Sequence, residues 1–344
     1  MNDTEIANAT FPKAPTVLEY SMQHQVAEPW RALFFILASI LGVSGCSGGA
    51  AAPASAIPSA VTRTSSSRMD DAARAQTLVF VGASSGSRIN IYSRQGKEVG
   101  QISQIGGGSI TADSSGTLYV PATTSSEFYI LPKPYTEPPT IIADSGQYPV
   151  DVAVDSKTGL IAVVNILTTS DGPPSVRFYE QAAKKPCATV GNKRFSKLYF
   201  AAFDASGILY VDGTGSSGQT AVGEVAGGCK AESITALKTS NHIAFPGGVA
   251  VNAADQVCIE DQQGASIDTY ARQPNGSLEL SETTPLAGAS DPVTFAFAQD
   301  GKHLWSVDAG LGTASEFPYP AGGPAEVTIS GVGGGIAVTP IETP

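Results

Sequence analysis

Five stretches of the chain can be laid over one another, and this repeat limits the fold more than any other feature of the sequence. They are 109–120, 150–164, 199–211, 248–259 and 293–307. Each reads as an apolar run, a polar turn, and a second apolar run. Asp113, Asp155, Asp204 and Asn252 head four of the turns, and most copies add a Gly. That chemistry suits a tight β-hairpin, because Asp and Asn bond the backbone of their own turn and Gly enters φ > 0 without steric cost. A third strand-like run follows each copy, at 127–131, 175–180, 219–225, 266–271 and 313–319. A fourth follows after another turn, at 140–143, 188–190, 233–237, 278–281 and 326–330.

Four short strands recurring every 40 to 50 residues or so make the blade of a β-propeller. The two ends of the repeat region supply one more blade. Runs at 77–81, 88–93 and 98–103 look like second, third and fourth strands without a first. The run 335–339 looks like a first strand without followers. Joined, they close the ring and remove its open sheet edges. The expected fold is therefore all-β: a six-bladed β-propeller of four-stranded antiparallel blades over 77–340, with 341–344 as a tail. The 37 Gly and 23 Pro suit a chain with so many turns.

The copies that begin at Pro149, Pro246 and Pro292 read close to Pro-x-x-Val-Ala-Val-Asp-x-x-Gly-x-Ile-Tyr-Val-x-Asp. They resemble blades of the NHL, YncE-like and TolB-like propeller superfamily. The resemblance spans roughly 77 to 340. It implies the fold and leaves the activity open, because propellers host many functions.

The N-terminus reads as an address. An apolar run at 32–43 follows Arg31 and is too short for a spanning helix, which needs about 20 apolar residues. Small residues come next, in the order of a secretory signal. Val43-Ser44-Gly45-Cys46 resembles the bacterial lipobox, which implies a lipidated Cys46 as first mature residue. Residues 1–45 are then the signal peptide, and 1–21 an overrun of the start site or a long leader, since Met22 offers another start. Ser47, where Asp would mark retention, implies the outer membrane if the source is Gram-negative. Residues 46–76 are rich in Ala, Pro and Ser, a composition that buries too little surface to order itself. They are expected to be a disordered tether.

The formal net charge of −11 argues against nucleic acid, since phosphate binding needs clustered Lys and Arg. The densest basic spots are only Lys184-Lys185 and Lys193-Arg194. The membrane, reached through the lipid, is the expected partner, with an envelope protein or glycan beside it and a monomeric body.

Second strands of four consecutive blades end in Asn165, Asp212, Glu260 and Asp308. Read as equivalent, they would ring one mouth with the oxygen donors that a divalent cation such as calcium takes. The same residue types also open turns. In the gluconolactonase-like branch of the resemblance, a metal held by Glu, Asn and Asp on this face activates a lactone. The first functional reading is thus a lipid-anchored binding or scaffolding module, and the second a metal-dependent lactonase-like hydrolase. No catalytic residue stands out, because His242 and His303 lie far apart and form no triad pattern. Polar loops at 166–174 and 213–217 are the longest on the presumed ligand face. Gly106-Gly107-Gly108 and Gly333-Gly334-Gly335 precede strands, as tight inter-blade turns would. Cys187 and Cys229 fall at matching places in adjacent blades, where an oxidising compartment would let them pair. Cys258 lies within a strand and reads as a buried thiol.

Overall fold

The computed structural model describes residues 77–339 except 85, 107 and 182, together with the backbone strand Ser67–Met69. The signal peptide, Cys46, most of the tether and the 341–344 tail lie outside the described residues. Six sheets are present among the described residues.

The N-terminal strands are β1 (Ser67–Met69), β2 (Leu78–Ala83), β3 (Arg88–Ser93) and β4 (Glu98–Ser103). Blade 1 is β5 (Thr111–Ala112), β6 (Leu118–Ala122), β7 (Glu127–Leu131) and β8 (Thr140–Ala143). Blade 2 is β9 (Gln147–Val154), β10 (Ile161–Thr168), β11 (Ser175–Tyr179) and β12 (Ala188–Val190). Blade 3 is β13 (Phe195–Phe203), β14 (Leu209–Gly215), β15 (Thr220–Val225) and β16 (Thr235–Leu237). Blade 4 is β17 (Pro246–Val251), β18 (Val257–Asp261), β19 (Ser266–Arg272) and β20 (Leu278–Ala287). Blade 5 is β21 (Pro292–Phe297), β22 (His303–Asp308), β23 (Thr313–Pro318) and β25 (Val327–Ser330). The short β24 (Gly323–Pro324) leaves blade 5 to lie parallel to the end of β20. Finally β26 (Val332–Val338) pairs with β2 and completes blade 6 in the order β1-β4-β3-β2-β26.

The ring closes as the repeat requires, with the C-terminal strand as the innermost strand of the N-terminal blade. One expectation needs correction. Ser67–Met69, inside the stretch read as disordered tether, pairs antiparallel with Gly100–Ile102 and adds a fifth strand to blade 6. Three residues with no apolar run give no periodic signal, so an edge addition of this size escapes pattern reading.

Packing explains why the strands read as continuous apolar runs. Neighbouring residues of a strand face opposite sides of its sheet. In the inner strands, such as β2, β14 and β18, each side meets a different neighbouring blade, so both are buried. Leu78 and Phe80 pack toward blade 1 with Ile110, Leu118 and Val120. Val79 and Val81 pack toward blade 5 with Trp305 and Val307. Four further clusters fill the seams between blades 1 and 2, 2 and 3, 3 and 4, and 4 and 5. The core is therefore six inter-blade seams rather than one centre. The glycine run before the end of β26 has a steric cause: a Cβ on Gly335 would fall on the backbone of Ser109 and Ile110 in blade 1.

Candidate functional site

The second strands end on one face of the ring and the first hairpins turn on the other. On the hairpin face the Asp and Asn residues serve their own turns. Asp113 accepts the N–H groups of Ser115 and Thr117, both at 2.9 Å. Asp204 accepts those of Ser206 and Ile208 at 2.8 and 2.9 Å. Asp155 and Asn252 act likewise.

On the other face the four residues singled out from the sequence do not share one position. Asn165 pairs with Pro149 and Asp308 with Pro292, at the outer end of the first strand. Asp261, not Glu260, holds that place in blade 4, opposite Pro246. Asp212 and Glu260 lie one residue earlier, beside a register shift in the first strand. The cause is position within the second strand. Counted from the residue that closes the hairpin, Ile161, Leu304, Leu209 or Val257, Asn165 and Asp308 stand four residues on, but Asp212 and Glu260 only three. One residue of difference turns a side chain to the opposite face of its sheet.

The two sets have different surroundings. Asp308 accepts backbone N–H groups from Ser290, from Asp291 at 3.2 Å and from Leu311 at 2.9 Å. Asp261 does the same with Ala244, Phe245 and Gly264 at 3.0, 3.2 and 3.1 Å. Each ties the loop entering its blade to the turn leaving the second strand. Asn165 is fully buried, and both atoms of its amide are without a partner.

Asp212 and Glu260 are fully buried. Asp212 Oδ1 accepts the Phe200 N–H at 2.9 Å, while Oδ2 has no partner. Glu260 accepts the Ser306 hydroxyl at 2.8 Å and the Gly248 N–H at 3.3 Å. Burial pushes Glu260 up to about 8, with Asp308 and Asp291 adding repulsion. Burial likewise holds Asp212 well above the ordinary aspartate range, with Asp151 and Glu260 adding to the effect.

Asp151 belongs with them, and the sequence reading missed it. It accepts the Ser109 hydroxyl and the Ala201 N–H, the latter at 2.8 Å, and burial pushes it up to about 6. The signal for it was an Asp inside an otherwise apolar first strand.

Among the described residues no three His, Cys, Asp or Glu side chains gather as a group that could hold a metal ion. The donor set does not fit the divalent cation that the lactonase resemblance would need, and no step through such an ion is derived. His303 lies on the hairpin side, between Asp300 at 2.8 Å and Glu326 at 3.4 Å. A cavity of about 270 Å³ opens nearby at the seam of blades 5 and 6, lined by Thr77, Arg94, Asp300, Trp305 and Val338 among others. It lies away from the face where the second strands end.

Cys187 and Cys229 are joined by a disulfide, with Cα atoms 5.2 Å apart. Cys229 sits in a short 3-10 turn, Gly228–Lys230, so the bond staples blade 3 to the start of β12 in blade 2. Cys258 is a buried free thiol.

Fold and site together define a six-bladed β-propeller with acids buried in the inner strands of its blades. Comparison with known proteins agrees at the level of fold. The sequence matches no protein-family model and no curated protein. Among solved structures, it is similar to a chain of the nidogen/laminin complex, with a TM-score of 0.62 and 12% identity over 78% of this chain and 100% of that one. A functionally unknown protein from Desulfotomaculum acetoxidans gives a TM-score of 0.52 and 13% identity, over 77% of this chain and 99% of that one. Streptogramin B lyase gives 0.47 and 15%, over 79% and 76%. Identities this low speak for the fold alone.

Proposed function

We propose that this chain is an exported, lipid-anchored propeller of the NHL, YncE-like and TolB-like kind, acting as a binding or scaffolding body for a protein or glycan partner at the cell envelope. The observation that carries the reading is the Cys187–Cys229 disulfide between two blades. Such bonds persist in oxidising compartments and are rare in the cytosol. Export agrees with the signal-like run ending at Cys46. A binding role agrees with the acids of the second strands, which serve turns and seams rather than converging on a substrate. The nidogen/laminin complex has a propeller of this fold in a protein–protein assembly. The acidic body disfavours nucleic acid, and the chain acts as a monomer.

Expression of the full chain in a bacterial host tests this reading. Wild type should take up labelled fatty acid and stay with membranes through a high-salt wash, and Cys46→Ser should do neither. The purified Cys46→Ser protein, with Cys187 and Cys229 oxidised, should then cosediment with isolated cell-envelope fractions. A wild type that stays soluble with all thiols reduced would overturn the export half. A Cys46→Ser protein that never cosediments would overturn the binding half.

A further inference from the structure

The cavity of about 270 Å³ at the seam of blades 5 and 6 has no part in the turns and staples that explain the other polar residues. Sites for drug-sized ligands begin at about 300 Å³, so this one suits a single compact ring better than an extended chain. Ala298, Trp305 and Val338 give it apolar walls, and Thr77, Arg94 and Asp300 bring polar groups.

Those polar groups are unevenly spent. Asp300 is saturated: Oδ1 accepts the N–H groups of Lys302 and His303 at 2.9 and 3.1 Å, and Oδ2 meets Arg94 Nη1 at 2.7 Å and His303 Nδ1 at 2.8 Å. The donors are not. Arg94 gives Nε to Glu316 at 2.6 Å and Nη1 to Asp300, which locks the guanidinium and leaves Nη2 for another acceptor. Its side chain is 33% exposed, so a ligand can reach it. Thr77 adds a hydroxyl. Trp305 is fully buried, and its Nε1 has no partner. Folded proteins rarely leave such a donor without an acceptor.

The unspent groups select the ligand. They call for acceptor oxygens beside a small apolar group, on a molecule without net charge. Asp300 and Glu316 already answer Arg94, so no positive charge is left over to hold an anion. An ammonium ion would find the Asp300 oxygens occupied. A peptide brings one N–H for nearly every carbonyl, and the cavity is poor in acceptors for them. A sugar hydroxyl can donate or accept as its neighbour requires. An acetamido group adds a carbonyl oxygen for Arg94 or Trp305 and a methyl for the apolar walls.

We propose that this cavity binds a neutral N-acetylated sugar residue, with Arg94, Thr77 and Trp305 as donors and Ala298 and Val338 against the acetyl methyl. The inference rests on the glycan form of the proposed binding role and gives that role a site. The site lies where the C-terminal strand closes the ring, away from the face on which the second strands end.

Trp305 is a built-in reporter. The sequence has two tryptophans, and the other, Trp30, falls in the stretch read as signal peptide. The full chain carrying Cys46→Ser and Trp30→Phe is titrated with three probes while Trp305 emission is followed. N-acetylglucosamine is the test, glucose supplies the ring without the acetamido group, and N-acetylglycinamide supplies the amide without the ring. N-acetylglucosamine should change the emission saturably at millimolar concentration, and the other two should bind at least about fivefold more weakly, as the loss of one hydrogen bond requires. Thr77→Val and Arg94→Lys should each weaken N-acetylglucosamine by about the same factor. If Arg94→Lys does not fold, Thr77→Val decides alone, since it removes a hydroxyl and keeps the shape. No saturable response, an equal response to glucose, or variants that bind like the parent would overturn the proposal. A response to N-acetylglycinamide as strong as that to the sugar would replace the sugar by a peptide and overturn it as well. Sugar binding without cosedimentation with envelope fractions would keep the site and remove the envelope role. Cosedimentation without any sugar response would do the reverse.

Discussion

Removal of the Cys187–Cys229 bond should lower stability by an amount that the chain path sets. The two residues are 42 apart in sequence. Loop-closure entropy for a cross-link of that span gives about 4 kcal/mol at 25 °C. The propeller has roughly 260 residues, and at about 2.1 cal/mol/K per residue its unfolding entropy is near 0.55 kcal/mol/K. The expected fall in Tm is therefore about 7 °C. Folding itself should survive, because the seam between blades 2 and 3 keeps its own core around Phe178, Leu198 and Val211. The suitable variant is Cys187→Ser with Cys229→Ser, since either change alone leaves an unpaired thiol. Scanning calorimetry with and without reductant supplies the control. Reductant should bring wild type down to the double variant and leave the double variant where it was. A fall of less than a degree, or equal sensitivity of both proteins to reductant, would refute the staple.

Three more outcomes follow from packing and turns. Gly335→Ala should destabilise by about 1 to 3 kcal/mol or more in urea titration, because its Cβ would meet the blade 1 backbone where the ring closes. Trp305→Ala should cost about 3 to 5 kcal/mol by the same measurement, since the fully buried indole fills the seam between blades 5 and 6. Asp204→Ala removes two backbone acceptor bonds from an exposed turn and should cost about 1 to 2 kcal/mol, with the circular dichroism spectrum unchanged.

The fold was readable because the inner strands of each blade, such as β2, β6, β10, β14, β18 and β22, are buried on both sides and the outer ones follow at regular spacing. A propeller strand then appears as an unbroken apolar run between turn residues, and β3, β4, β7, β8 and β12 fall on the runs read from the sequence. The site was less readable for the same reason. When both faces of a strand serve neighbouring blades, hydrophobicity no longer marks which way a residue points. Place in the strand then decides it: counted from the hairpin-closing residues Ile161, Leu304, Leu209 and Val257, Asn165 and Asp308 stand four residues on and Asp212 and Glu260 three. That single residue separates Asn165 and Asp308 from Asp212 and Glu260, and puts Asp261 in the place expected for Glu260. The partners are remote as well: Ser109 reaches Asp151 across 42 residues, Asp151 reaches Ala201 across 50, and Glu260 reaches Ser306 across 46. Those separations are about one repeat each. Each of these acids therefore meets groups from the adjacent blade near its own position in the repeat. Asp151 and Glu260 are thus held by neighbouring backbones and hydroxyls, whereas Glu316 inside β23 meets Arg94 of blade 6 in a salt bridge at 2.6 Å.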